Sequence, residues 1–366
     1  MAQLNKINPS EVATQFRSDL VHLRRRMLGM SQAELATASG LSQSILSKLE
    51  DGLREATESQ QAALADALRC PVAFFFQKER EYGAPISAHP MFRKRAAVGV
   101  KVLSRFIAEL NVRIAHLRAF LKAVEIEPEL PIPQYDIDDF DGGAEEVAEH
   151  VRRAWYIPNG PIKSLMDYVE RSGCIVVPLD MAEAQIDGVS YRIPGLPPII
   201  FLNNRAPADR QRFSLAHELG HIVMHSIPHP EMEDQANQFA SALLMPSGDV
   251  MPHLRDISIE RAAQLKKVWR VSMAALLVRA KTIGAIDHYK SDYLWRQMSA
   301  LGYRMQEPPE VAFERERPTV FPALVQHLTE ELGYTQQDLE HVLALHYEEV
   351  AQMYGLQTRT GLRLVN

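Results

Sequence analysis

The sequence predicts a mainly α-helical protein with a small antiparallel β-sheet, an α+β chain of more than one domain. Apolar residues recur at three and four over most of the chain. That pattern is interrupted once, by three short β-branched or aromatic runs. A length of 366 residues at 46% hydrophobic content is also more than a single core usually serves.

From Pro9 to Phe76, short helical segments broken by Gly29, Gly40 and Gly52 predict a compact helical first domain, 1–76. Residues 77–96 carry Gly83, Pro85 and Pro90 among charges and read as a linker. A helical connector, 97–156, opens with an amphipathic helix (Val102, Phe106, Leu110, Ile114, Leu117, Leu121) able to brace two halves or form a dimer seam. A Pro-rich acidic loop and helices at Ala144–Trp155 and Ile162–Ser172 follow. Cys174–Leu179, Gly188–Ile193 and Pro198–Asn203 are the three strand runs, inside a domain placed at 157–256. Helical periodicity then resumes from Asp209 and fills a C-terminal region, 257–366. Its stretch Phe321–Tyr354 is amphipathic without a chemical motif, suited to docking, sensing or dimerisation.

The net charge of −6 excludes a protein coated in basic surface, so any nucleic-acid contact must come from a local patch. Cys70 and Cys174 stand alone without a CxxC spacing, which argues against a disulfide framework or a cysteine metal site. No stretch approaches the ~20 apolar residues of a membrane helix. The N-terminus shows no apolar targeting segment, so the expectation is a cytoplasmic protein with no membrane partner.

Within Phe213–His225, His217 and His221 stand at i and i+4. They lie one turn apart on a helix face, where two imidazoles can reach one ion at about 2.0–2.1 Å. Glu218 lies beside the first histidine and can act as a general base without being a ligand. An HExxH pentapeptide alone is a moderate signal, but a strand precedes this one and Glu233 and Asn237 follow at i and i+4 on the next helix. Glu233 can complete a two-histidine, one-glutamate set, with adjacent Asp234 as the rival, and Asn237 can orient a ligand. The three-histidine pattern is excluded, since Met224 and Ile227 occupy its positions. His225 reads as a core or helix-end histidine, or more sharply as a partner of a ligand. His229, flanked by prolines, reads as solvated.

Ser31–Gly52 reads as helix, tight turn, helix: Ser31 with Glu34 forms a capping box, Gly40 supplies the turn, and Ser42 caps the second helix. Leu35, Ala36, Leu41, Ile45 and Leu49 form the expected inner face. Gln43, Ser44, Ser47 and Lys48 then point outward with side chains suited to base edges in a major groove, and Gln32 opens the first helix beside them. The cluster Arg24–Arg26 is a candidate phosphate contact.

Ser31–Gly52, with Leu23–Arg26 and Ala62–Leu68, resembles the Xre/lambda-repressor family of helix-turn-helix domains over Phe16–Phe76. Arg210–His221, with Met224, His225, Glu233–Asn237 and Leu243–Pro246, resembles the ImmA/IrrE family of zinc metallopeptidases over Pro161–Leu254. The resemblances imply a lambda-repressor-like bundle followed by a zincin-like, gluzincin-type domain. They imply Zn2+ held by His217, His221 and Glu233, Glu218 as catalytic base, and Pro198–Asn203 as an edge strand for a peptide. Such proteins cut helix-turn-helix repressors and release genes of mobile elements or stress responses. Because the two parts are fused here, the substrate could be a separate repressor, a partner toxin or antitoxin, or the chain itself. The expectation is a homodimeric, operator-binding transcriptional regulator with zinc endopeptidase activity. The alternatives are a regulator or antitoxin whose zinc site is structural or ligand-sensing, and a peptidase that uses the helix-turn-helix only to recognise protein. Tyr191 and Arg192 are candidate donors to the reacting carbonyl.

Overall fold

The computed structural model describes residues 15–85 and 99–356. The predicted helical start at Pro9 and residues 86–96 of the expected linker lie outside the described residues. Helices α1 (Ser18–Met27), α2 (Gln32–Ser39), α3 (Gln43–Glu50), α4 (Glu58–Ala67) and α5 (Val100–Phe120) come first. Next are α6 (Gly143–Ala154), α7 (Leu165–Arg171), β1 (Ile175–Leu179), β2 (Gly188–Tyr191), β3 (Ile199–Asn203), α8 (Ala208–Met224) and α9 (Met232–Leu244). The chain continues through α10 (Ser247–Leu254), α11 (Ile259–Trp269), α12 (Met273–Thr282), α13 (His288–Ala300), α14 (Val320–Gln326), α15 (Gln336–Leu343) and α16 (Tyr347–Tyr354). This is the mainly α, α+β architecture that the periodicity predicts. Among the described residues no helix is long and apolar enough to cross a membrane.

The chain divides into two compact units, and the division corrects the expected domain limits. One unit holds residues 15–84, 99–125 and 322–356; the other holds 126–321. The predicted connector is therefore split, and the predicted C-terminal region does not stand alone. Long-range polar contacts are the reason. Within the first unit, buried His116 on α5 places Nδ1 2.6 Å from the Tyr354 hydroxyl and Nε2 3.0 Å from the Leu343 carbonyl. Arg24 of α1 donates to both oxygens of Glu349 on α16 at 2.7 and 2.5 Å. Partners more than 200 residues apart leave no mark in local periodicity.

The helix-turn-helix forms as its caps dictate. Ser31 and Glu34 close the capping box, Gly40 ends α2 at φ +69°, and the Ser42 hydroxyl accepts the Ile45 N–H. Leu35, Ala36 and Leu49 are buried as expected. Leu46, rather than Ile45, is the fully buried residue between them on α3.

In the second unit the sheet is mixed, not antiparallel. Its order is β1-β3-β2, with β1 parallel to β3 and β2 antiparallel to it. Two chain reversals separate β1 from β3, so placing them side by side makes that pair parallel. Every residue of β3 is buried, as a central strand's near-continuous apolar run requires. Pro178 has no N–H and confines β1 to an edge. The expectation of Pro198–Asn203 as an edge strand is thereby overturned: β3 is paired on both sides, and the strand next to α8 with one unpaired side in this sheet is β2. The sheet face carrying Val176, Ile200 and Leu202 shares a core with Leu215, Leu219 and Val223 of α8 and with Phe239 and Leu243 of α9.

Candidate metal centre

The site is set by how closely α8 and α9 approach. Gly220 lies between the two histidines, and a Cβ there would fall 2.9 Å from the Phe239 ring. A bare glycine thus lets α9 come close enough for Glu233 to face His217 and His221. Their Nε2 atoms are 3.0 Å apart, His221 Nε2 is 3.2 Å from Glu233 Oε1, and His217 Nε2 is 3.7 Å from Glu233 Oε2. Donors about 2.0–2.1 Å from one tetrahedral centre sit roughly 3.4 Å apart, and the three separations bracket that value. Two imidazoles and a carboxylate form the one group among the described residues suited to a metal ion. Asp234 is exposed and outside it, as is His229, whose Nδ1 accepts the Glu231 N–H at 3.3 Å.

Protonation agrees with this geometry. Burial, reinforced by the neighbouring imidazole of His221, holds His217 down at about 4. Burial, then His225, holds His221 at about 3. Both rings are therefore neutral at pH 7 and carry the lone pair a metal needs. His217 Nδ1 lies 3.0 Å from Asn237 Oδ1, which can only accept, so the proton sits on Nδ1 and the lone pair on Nε2. His221 Nδ1 lies 3.0 Å from His225 Nδ1.

Glu218 is only 1% exposed and lies against β2. Strand alternation turns Gly188 and Ser190 toward it: a Cβ on Gly188 would lie 3.0 Å from Glu218 Cγ, and the Ser190 hydroxyl donates to Glu218 Oε2 at 2.7 Å.

In the first unit, Gln43, Ser44 and Lys48 are exposed on α3. Ser47 is half-buried and its hydroxyl donates to Asp51 at 3.3 Å, while Gln32 donates its amide to Glu50 at 2.9 Å. Arg24 is a correction. It is fully buried, its guanidinium is spent on the Leu68 and Arg69 carbonyls and on Glu349, and it cannot reach a phosphate. Arg25 pairs with Glu50 at 2.6 Å and Arg26 with Glu81, so the expected basic cluster is internally neutralised.

Residues 169–281 match the family model of the IrrE N-terminal-like domain, a peptidase-type family, and residues 21–75 match that of the helix-turn-helix. The chain joins a helix-turn-helix domain to an IrrE-like domain. No curated protein matches it. The IrrE-like match runs past the expected limit at 256 because the core does: Trp269, Leu276 and Ala280 belong to it. Buried Arg279 also donates to the Met245 carbonyl at 2.9 Å and pairs with Glu145 at 2.5 Å.

Sequence reasoning missed Gly188, Ser190, Gly220 and Gln235 of the IrrE-like domain. Of the two glycines only Gly220 carried a faint signal, since it interrupts a helix pattern without a turn. Of the two candidate donors to a reacting carbonyl, Tyr191 lies on the β2 face opposite Ser190, its ring 6.2 Å from that of Phe201. Arg192 donates to the Ile222 carbonyl at 3.1 Å.

Proposed function

We propose that the chain is a zinc-dependent endopeptidase fused to an operator-binding regulator domain, cleaving a repressor-type, toxin or antitoxin protein. The observation that carries this reading is a buried carboxylate, Glu218, next to two neutral imidazoles and held at one oxygen by Ser190; a purely structural site has no use for such a base. His217, His221 and Glu233 would hold the ion. When bound, it supplies Lewis acidity and lowers the pKa of water. Glu218 takes a proton from the attacking water and returns it to the leaving amine, while Ser190 and Gly188 keep its side chain in place. The helix-turn-helix contributes Gln43, Ser44 and Lys48 on the exposed face of α3, with a homodimer reading two half-sites. A cytoplasmic location belongs to the same reading.

One observation favours a second reading, a regulator or antitoxin with a structural or ligand-sensing zinc module. The three site side chains on α8, at 1–6% exposure, are as enclosed as those of a structural centre. Cleavage of helix-turn-helix proteins encoded near this one, by wild type and by Glu218→Gln, separates the two. The peptidase reading expects fragments from wild type alone. A zinc-loaded wild type that cuts none of them supports the second reading.

A further inference from the structure

We propose that Gln235 is a positioning residue of this centre: acting through His225, it sets which nitrogen of His221 carries the proton and so aims the His221 Nε2 lone pair at the metal. The inference rests on the metal-centre reading above. The contacts run from His221 Nδ1 to His225 Nδ1 at 3.0 Å, and from His225 Nε2 to Gln235 Oε1 at 2.9 Å.

A carbonyl oxygen only accepts, so His225 must carry its proton on Nε2. Its Nδ1 then has a lone pair and accepts a hydrogen bond from His221 Nδ1–H. That leaves His221 Nε2 unprotonated, 3.2 Å from Glu233 and 3.0 Å from the matching nitrogen of His217. Turning the Gln235 amide over reverses every step. The amide N–H would donate to His225 Nε2, the His225 proton would move to Nδ1, and His221 would be protonated on Nε2, the nitrogen the metal requires. Only one amide orientation is compatible with an ion.

Helix α9 therefore serves the centre three times at alternate positions. Glu233 is a donor, Asn237 orients His217 directly, and Gln235 orients His221 at one remove. Hydrogen bonds of this kind hold a ligand's ring and tautomer and raise its basicity.

The test uses the full chain stripped of metal, with zinc alone as probe in competition with a chromophoric chelator. Gln235→Leu removes the acceptor at similar volume, and affinity is expected to fall about 10- to 100-fold. Gln235→Glu keeps an acceptor and should bind at least as tightly as wild type. The imidazole 15N resonances of the zinc-loaded wild type should show His225 protonated on Nε2 and His221 on Nδ1. Thermal melts of the metal-free proteins identify a folding defect, in which case Gln235→Glu and the resonances decide. A Gln235→Leu protein of wild-type affinity, a Gln235→Glu protein well below wild type, or the opposite tautomers would overturn the inference. Wild type that binds no zinc would instead sink the metal-centre reading beneath it.

Discussion

The arginines of α1 and the histidines of α8 are both polar clusters withdrawn from solvent, yet the fold treats them oppositely. Each arginine is matched to a carboxylate, Arg24 to Glu349, Arg25 to Glu50 and Arg26 to Glu81, so the charge is neutralised within the first unit. The two histidines instead turn nitrogens of the same kind toward each other and toward one carboxylate, 3.0–3.7 Å apart, and their outer nitrogens are held by Asn237 and His225. Buried cations with complementary partners are architecture. Buried lone pairs that converge are a receptor for a cation.

The strongest way to break this comparison is to remove a partner from each side. Glu233→Ala leaves two imidazoles where three donors stood, and zinc affinity should fall by at least about 100-fold in a chelator competition. Glu349→Ala leaves the Arg24 guanidinium buried without its carboxylate. Unfolding of the first unit, followed in urea by hydrogen exchange of its amides, should become easier by about 3 kcal/mol. That is the lower end of the usual cost, because Glu349 is partly exposed. Replacing both residues, Arg24→Met with Glu349→Leu, should recover much of the loss. A Glu349→Ala protein of unchanged stability would show that the pair is not structural.

A smaller effect concerns pH. Burial holds His116 down at about 3, against 6.5 when exposed, so the unfolded chain takes up that proton first on acidification. The stability contributed by neutral His116 is complete above pH 6.5 and is lost progressively between about 6.5 and 3, with a slope approaching 1.4 kcal/mol per pH unit. His116→Gln should flatten this part of the pH profile, and an unchanged slope would contradict the assignment. The smallest effect separates exposed from buried cations. Lys48→Gln should reduce the slope of log affinity against log salt for a duplex by about 0.9, whereas Arg24→Met should leave it unchanged. Equal slopes for both variants would mean that α3 does not face the phosphates.

What was legible in the sequence follows the range of the interaction. The i, i+4 pairs on α8 and α9 are local, so the pairing of His217 with His221 and of Glu233 with Asn237 could be read from spacing, and so could the caps of α2 and α3. The meeting of the two pairs, by contrast, depends on how α9 packs on α8 at Gly220. Ser190 could not be found this way, because which β2 residues meet Glu218 depends on how the strand packs on α8. The Arg24–Arg26 run was misread for the same reason: its partners Glu50, Glu81 and Glu349 are remote, and consecutive arginines look solvated until those are in place. The strand order was hidden too, since three strands with short connections suit an antiparallel meander as well as a sheet with β3 at its centre. The pairing of β3 with both β1 and β2 decides between them, and burial does not, because β2 is fully buried as well.

The most direct test of the account is the metal content of the purified wild-type chain, read together with X-ray absorption at the zinc edge. The account predicts one zinc per chain bound by two imidazole nitrogens and a carboxylate oxygen, with Glu218→Gln retaining it and Glu233→Ala losing it. A wild-type protein that takes up no zinc, or one whose zinc survives Glu233→Ala with an unchanged ligand shell, would contradict it.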